Sequence, residues 1–183
     1  MRLFIAINLS EEIKDYLTAA IRKLKSAASK GNFTHRENLH LTLVFLGELG
    51  PDKLGSVKAA MNRVNGEPFR LSFSGFGKFK RNGGDIHWAG IDRCEALFSV
   101  QKQLTAELEK AGFMPEDRAY SPHLTLGREV RLSDPAGNIY GAIAAERLEM
   151  TVSRISLMKS ERIGGKLVYT EIYGRDLLTE RRS

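Results

Sequence analysis

The tetrapeptide His-Leu-Thr-Leu occurs twice, at His40-Leu41-Thr42-Leu43 and His123-Leu124-Thr125-Leu126, in a chain that has only four histidines. At average residue frequencies, on the order of one histidine in a thousand is followed by that triplet. Chance therefore does not account for the pair. In an extended strand, successive side chains point to opposite faces. Each copy thus sets an imidazole and a hydroxyl side by side on one face and sends two leucines into a core. A fold that hosts this chain must present two such strands, each buried on one side and open on the other.

The surrounding pattern repeats as well. The two histidines stand 83 positions apart, and a gapless shift of 83 lays Leu3 on Ile86, Leu17 on Val100 and Ile21 on Leu104. Leu3 to Leu9 is an apolar strand. Ser10 caps a helix with Ile13, Leu17, Ile21 and Leu24 on one face, which Gly31 and Asn32 end. The first motif strand runs from Leu39 to Leu46 and closes at Gly47. Pro51-Asp52 opens a second helix through Leu54, Val57, Met61 and Val64, stopped by Asn65-Gly66. A strand from Phe69 to Phe76 and a turn at Arg81-Asn82-Gly83-Gly84 follow.

The second half begins with a strand, Asp85 to Ile91, and a helix carrying Leu97, Val100, Leu104, Leu108 and Ala111, ended by Gly112. The second motif strand spans Ser121 to Gly127. Asp134-Pro135 starts a short helix through Ile139, Ala142 and Ile143. Single strands are expected from Leu148 to Met158 and from Leu167 to Tyr173, with Arg175 to Ser183 as a solvated charged tail. The expected fold is α+β and bilobal: one domain of two pseudo-symmetric α/β lobes, duplicated halves whose antiparallel sheets face a central cleft.

Composition narrows the function classes. Twenty-eight Lys and Arg against 22 Asp and Glu give +6, a balance that favours anionic partners. Cys94 is the only cysteine, so no intrachain disulfide forms, which suits a reducing compartment. No apolar run reaches the ~20 residues that span a bilayer, and the apolar start is too short for a signal peptide. The expected setting is cytoplasmic, without membrane attachment, as a monomer.

Displacement at phosphorus needs a base on the attacking oxygen and an acid on the departing one, on opposite sides of the phosphorus. Two histidines from facing strands meet that demand, because an unperturbed pKa of ~6.5 lets one be neutral and the other protonated near neutral pH. Thr42 and Thr125 can donate hydrogen bonds to the non-bridging oxygens. Arg128, five positions after His123, offers a planar fork to the phosphate. No cofactor is required. A catalytic zinc site wants three protein ligands, and no carboxylate or cysteine is spaced to join either histidine. His87, beside Trp88, reads as a packed strand histidine, and His35 as a loop histidine near the cleft entrance. Phe33, Phe45 and Tyr120 can stack a base, although aromatics beside strands usually belong to the core.

The chain resembles the two-histidine phosphoesterase superfamily, which is defined by paired His-x-Ser/Thr-hydrophobic motifs. Within it, the chain is similar to RNA 2′,3′-cyclic phosphodiesterases, also called 2′-5′ RNA ligase-like proteins. The likeness lies in Arg2-Leu3-Phe4-Ile5-Ala6-Ile7, in the stretch from Glu37 to Glu48, in Ser121-Pro122-His123-Leu124-Thr125-Leu126-Gly127-Arg128, and in Leu157-Met158-Lys159-Ser160 through Tyr169. Phe33 stands where many relatives have Trp. The resemblance implies hydrolysis of a terminal 2′,3′-cyclic phosphate on RNA, tRNA fragments among the substrates, to a 2′-phosphate, with an ability to join 2′-5′ linkages. It implies His40 and His123 as the catalytic pair, with Thr42, Thr125 and Arg128 on the phosphate. The division of roles adopted is His40 as acid to the ribose 3′ oxygen and His123 as base toward water. Two alternatives stand beside this reading. One is hydrolysis of small cyclic phosphates, such as that of ADP-ribose or 2′-5′ oligonucleotides. The other is an RNA-end binder without turnover.

Overall fold

The computed structural model describes residues 1–116, 119–134, 138–143 and 148–178. In chain order the elements are β1 (Arg2–Asn8), α1 (Glu11–Ser26), β2 (Ala28–Phe33), β3 (His40–Glu48), α2 (Leu54–Asn62), β4 (Phe69–Phe79) and β5 (Asp85–Ile91). They continue with α3 (Glu95–Lys110), β6 (His123–Leu132), α4 (Ile139–Ala142), β7 (Leu148–Val152), β8 (Arg154–Ile163) and β9 (Lys166–Asp176). The strands form two antiparallel sheets, ordered β3-β1-β8-β9 and β2-β6-β5-β4-β7. The fold is α+β.

The apolar periodicity dictates the core. Ile13, Leu17 and Leu24 on α1 are buried, as are Leu97, Leu104 and Leu108 on α3. Ser10 caps α1 by accepting from the Ile13 amide at 3.4 Å. In the motif strands Leu41, Leu43, Leu124 and Leu126 join one continuous core with these helices. The opposite face of the first sheet carries a separate small cluster, Phe4, Ala6 and Met158, with Tyr169 against it.

Each sheet has the same inner order: β3-β1-β8 in one and β6-β5-β4 in the other. The third strand, however, is exchanged between the halves of the chain. β4 follows α2 in the first half yet pairs with β5, and β8 lies in the second half yet pairs with β1. Helix α1 likewise leaves β1 and packs on β2, β6 and β7 of the other sheet. The equivalence is also one residue off a gapless shift. Ala6 and Asn8 oppose Thr42 and His40, whereas Trp88 and Gly90 oppose Thr125 and His123. The first strands therefore correspond at an offset of 82, not 83.

Several element boundaries differ from those expected. Helix α1 ends at Ser26, and the stretch that includes Gly31 and Asn32 is strand β2, paired along β6. Its sequence, Ala-Ser-Lys-Gly-Asn-Phe, has no alternation to reveal it; backbone pairing holds it. Helix α2 is preceded by a 3₁₀ turn, Pro51–Lys53, and ends at Asn62, short of Asn65-Gly66. The expected strand from Leu148 to Met158 is two strands in different sheets, with Ser153 between them. Arg175 and Asp176 end β9, and Leu177 is buried with its amide on the Ser153 carbonyl at 2.8 Å, so the tail begins later than expected. Pro135 and residues 179–183 lie outside the described residues, and Asn138 caps the short helix α4. Among the described residues, no helix is long and apolar enough to cross a membrane.

Candidate active site

Contact between the two sheets brings the two motif strands together. β3 and β6 touch each other across the two sheets. The Tyr120 hydroxyl, just before β6, donates to the Thr42 carbonyl at 2.9 Å. Thr34, just after β2, donates to the Thr125 carbonyl at 2.8 Å. Each motif strand is thus pinned by a hydroxyl from another part of the chain.

The two imidazoles are oriented in the same way. His40 Nδ1 lies 2.7 Å from the Asn38 carbonyl oxygen, and His123 Nδ1 lies 2.8 Å from that of Ser121. A carbonyl only accepts, so each Nδ1 holds the hydrogen and each neutral ring is left with Nε2 as its basic nitrogen. The Thr42 hydroxyl sits 2.9 Å from His40 Nε2 and donates to it. Asn38 is itself buried, and its side-chain amide donates to the Leu167 carbonyl of β9 at 2.9 Å.

Aromatic rings support both histidines. His40 lies over Phe4 at 4.8 Å between centroids, and the Tyr169 ring meets it edge-on at 5.2 Å. His123 meets Phe79 edge-on at 5.2 Å, and Phe79 packs on Trp88 at 5.4 Å. Burial pushes the His40 pKa below the usual histidine value, and the positive charge of Arg128 adds to that; the hydrogen bond to Asn38 opposes it. Burial also pushes the Tyr169 phenol up, against the pull of Arg128 and Arg2. The charge of Arg128 is thus felt at His40 and Tyr169 of the other sheet. Free of ligand, His40 is neutral near pH 7. An anion placed beside it would favour the protonated form.

Arg128 reaches this face because of a β-bulge. In β6, pairing passes from Trp88–Thr125 to His87–Gly127 and leaves Leu126 extra. In β3, it passes from Ala6–Thr42 to Ile5–Val44 and leaves Leu43 extra. A bulge of this kind re-aims the side chains beyond it. In strict alternation, a residue five positions after the histidine faces away from it. The bulges bring both such residues, Phe45 and Arg128, back to the histidine's face.

The other candidates fall elsewhere. His87 is fully buried and shares a hydrogen bond with the Tyr140 hydroxyl at 2.9 Å, as a packed strand histidine should. His35 is exposed ahead of the 3₁₀ turn Arg36–Asn38. Phe33 packs against the core, and Tyr120 is held edge-on to Phe98. Phe45 alone among the three stacking candidates stands open, at 41% exposure. The sequence reading missed Tyr169 and Phe4 as ring supports. No group of three or more His, Cys, Asp or Glu among the described residues is placed to hold a metal ion.

A family model described as the 2′-5′ RNA ligase superfamily matches residues 13–164. The chain belongs to that superfamily. A superfamily relative from Methanothermobacter thermautotrophicus, named RNA 2′,3′-cyclic phosphodiesterase, is 35% identical over 178 residues, covering 94% of this chain and 96% of its own. One of the same name from Thermotoga maritima is 32% identical over 176 residues, covering 94% of each. Among solved superfamily-like folds, E. coli LigT complexed with 3′-AMP superposes with a TM-score of 0.77 at 26% identity, over 97% of this chain and 98% of that one. A protein from Thermus thermophilus superposes equally well, at 0.77 and 29% identity over the same shares.

Proposed function

We propose that this protein hydrolyses the 2′,3′-cyclic phosphate at an RNA end, leaving a 2′-phosphate, with His40 and His123 as the acid–base pair. The observation that carries the reading is the matched pair of Nδ1–H locks, which makes each Nε2 the proton-exchanging nitrogen on strands that touch. Relatives of nearly full coverage named RNA 2′,3′-cyclic phosphodiesterase support the substrate class.

In the proposed step, one histidine takes a proton from water as its oxygen bonds to phosphorus. The P–O3′ bond breaks, and the other histidine gives its proton to O3′. Thr125 and Arg128 hold the non-bridging oxygens, where charge gathers, and Thr42 joins them once His40 Nε2 is protonated and the Thr42 hydroxyl hydrogen is released from it. A 5′-hydroxyl in place of water joins two RNAs through a 2′-5′ linkage by the same displacement.

The test is an RNA with a 2′,3′-cyclic end incubated with the protein in the presence of a chelator, with ring opening followed by mass spectrometry and the position of the product phosphate read by phosphorus–proton NMR against authentic 2′- and 3′-phosphates. A 2′-phosphate is expected. His40→Ala and His123→Ala should each lower turnover by about 10² to 10⁴-fold with the fold intact. An unchanged cyclic end after long incubation overturns the proposal in favour of a binder.

A further inference from the structure

The residues five positions after each motif histidine are turned onto the site face by bulges at matching places, yet they differ in chemistry: Arg128 in one strand and Phe45 in the other. Arg128 suits phosphate. Phe45 suits something flat and apolar. Its ring lies 6.2 Å from Phe4, which lies 4.8 Å from His40. The aromatic floor thus runs outward from the histidine and ends at an exposed ring.

Beyond that ring the edge of β3 and the loop after α3 enclose a groove of about 290 Å³, lined by Phe45, Leu46, Leu49, Lys53, Phe113 and Met114. Met114 is 98% exposed. Lys53 is exposed too, with only a loose 3.9 Å contact to its neighbour Asp52. A stacking ring followed by a cation matches a base followed by a phosphodiester. A lone cyclic mononucleotide has no second phosphodiester for Lys53 to meet; an RNA chain has.

We infer that this groove is a subsite for the nucleotide preceding the cyclic end, with its base stacked on Phe45 and its phosphate near Lys53. The inference rests on the proposed activity for its choice of ligand. It makes the protein a reader of RNA ends rather than of mononucleotides. Base–aromatic stacking tolerates every base, so the subsite adds affinity without sequence preference.

The experiment compares adenosine 2′,3′-cyclic phosphate with a trinucleotide bearing the same cyclic end, on wild type, Phe45→Ala, Phe45→Trp and Lys53→Gln. Wild type should favour the trinucleotide by about tenfold or more in kcat/KM. Phe45→Ala should erase most of that preference through KM and leave the mononucleotide rate within about twofold, while Phe45→Trp retains the preference. Lys53→Gln should flatten the salt dependence for the trinucleotide alone. Equal losses on both substrates, or no loss on the trinucleotide, overturn the subsite. Binding of a trinucleotide with a 3′-phosphate, followed by calorimetry, decides the matter without turnover. If wild type hydrolyses neither substrate but Phe45→Ala still weakens this binding about tenfold, the subsite stands and the proposed activity falls.

Discussion

The His40 ring donates its Nδ1 hydrogen to the carbonyl oxygen of Asn38, two residues earlier, at 2.7 Å. That carbonyl is fixed because the Asn38 side chain is anchored on the Leu167 carbonyl of β9. Asn38→Ala should therefore lower kcat several-fold with KM nearly unchanged, and cost about 1–2 kcal/mol of stability. Steady-state kinetics and urea unfolding measure both. An intact kcat would mean that the backbone carbonyl keeps its place without the Asn38 side chain.

Arg128 is one cause of the depressed His40 pKa. Replacing it by Met should move the His40 titration upward, as followed by NMR of the ring protons. The same variant should lose about tenfold or more in kcat/KM. Arg128→Lys should recover the charge effect but only part of the rate, since an ammonium lacks the planar fork.

Because His40 is neutral before ligand arrives, an incoming phosphate should draw a proton onto it. Opposite charge favours the protonated form. Calorimetric titration of a 2′-nucleotide at pH 7 in buffers of different ionisation heat should show net proton uptake. His40→Gln should remove it. Uptake unchanged in that variant would place the proton on another group.

Burial holds both His40 and His87 below the usual histidine range. In the unfolded chain they titrate near 6.5. Below that pH the unfolded state binds more protons, so stability falls as the pH drops from about 6.5 through the lower folded values. More than about one pH unit above 6.5 neither histidine contributes a slope. Denaturant unfolding between pH 5 and 8 tests this, and a variant with Gln at position 87 should show a shallower acid-side decline.

What was legible in the sequence was what local pattern encodes. The doubled motif gave the site strands because strand alternation alone puts His and Thr together. The helical leucines of α1 and α3 gave the core. Strand β2 was hidden because its partner lies about a hundred residues away and its own residues show no apolar alternation. The break at Ser153 left a trace: Leu148, Met150 and Val152 alternate in one phase, Ile155 and Leu157 in the other. That slip of one position marks where the chain changes sheets. The bulges at Leu43 and Leu126 left no local mark, since the extra residue in each is an ordinary leucine. Phe45 could accordingly be read either as a stacking ring or as a core aromatic, and pairing with β1 puts it on the open face. Tyr169 as a support for His40 was equally out of reach, because β9 is placed beside β8 by long-range pairing.

The traded third strands have a consequence for how the molecule can come apart. Cutting the chain between β4 and β5 yields two fragments, each missing two strands that its own sheet needs and each carrying two that belong to the other. Neither fragment is self-sufficient, so the two sheets should melt in a single transition. Whatever spacing separates the two imidazoles is then a property of the whole body, guarded by its global stability rather than by a hinge.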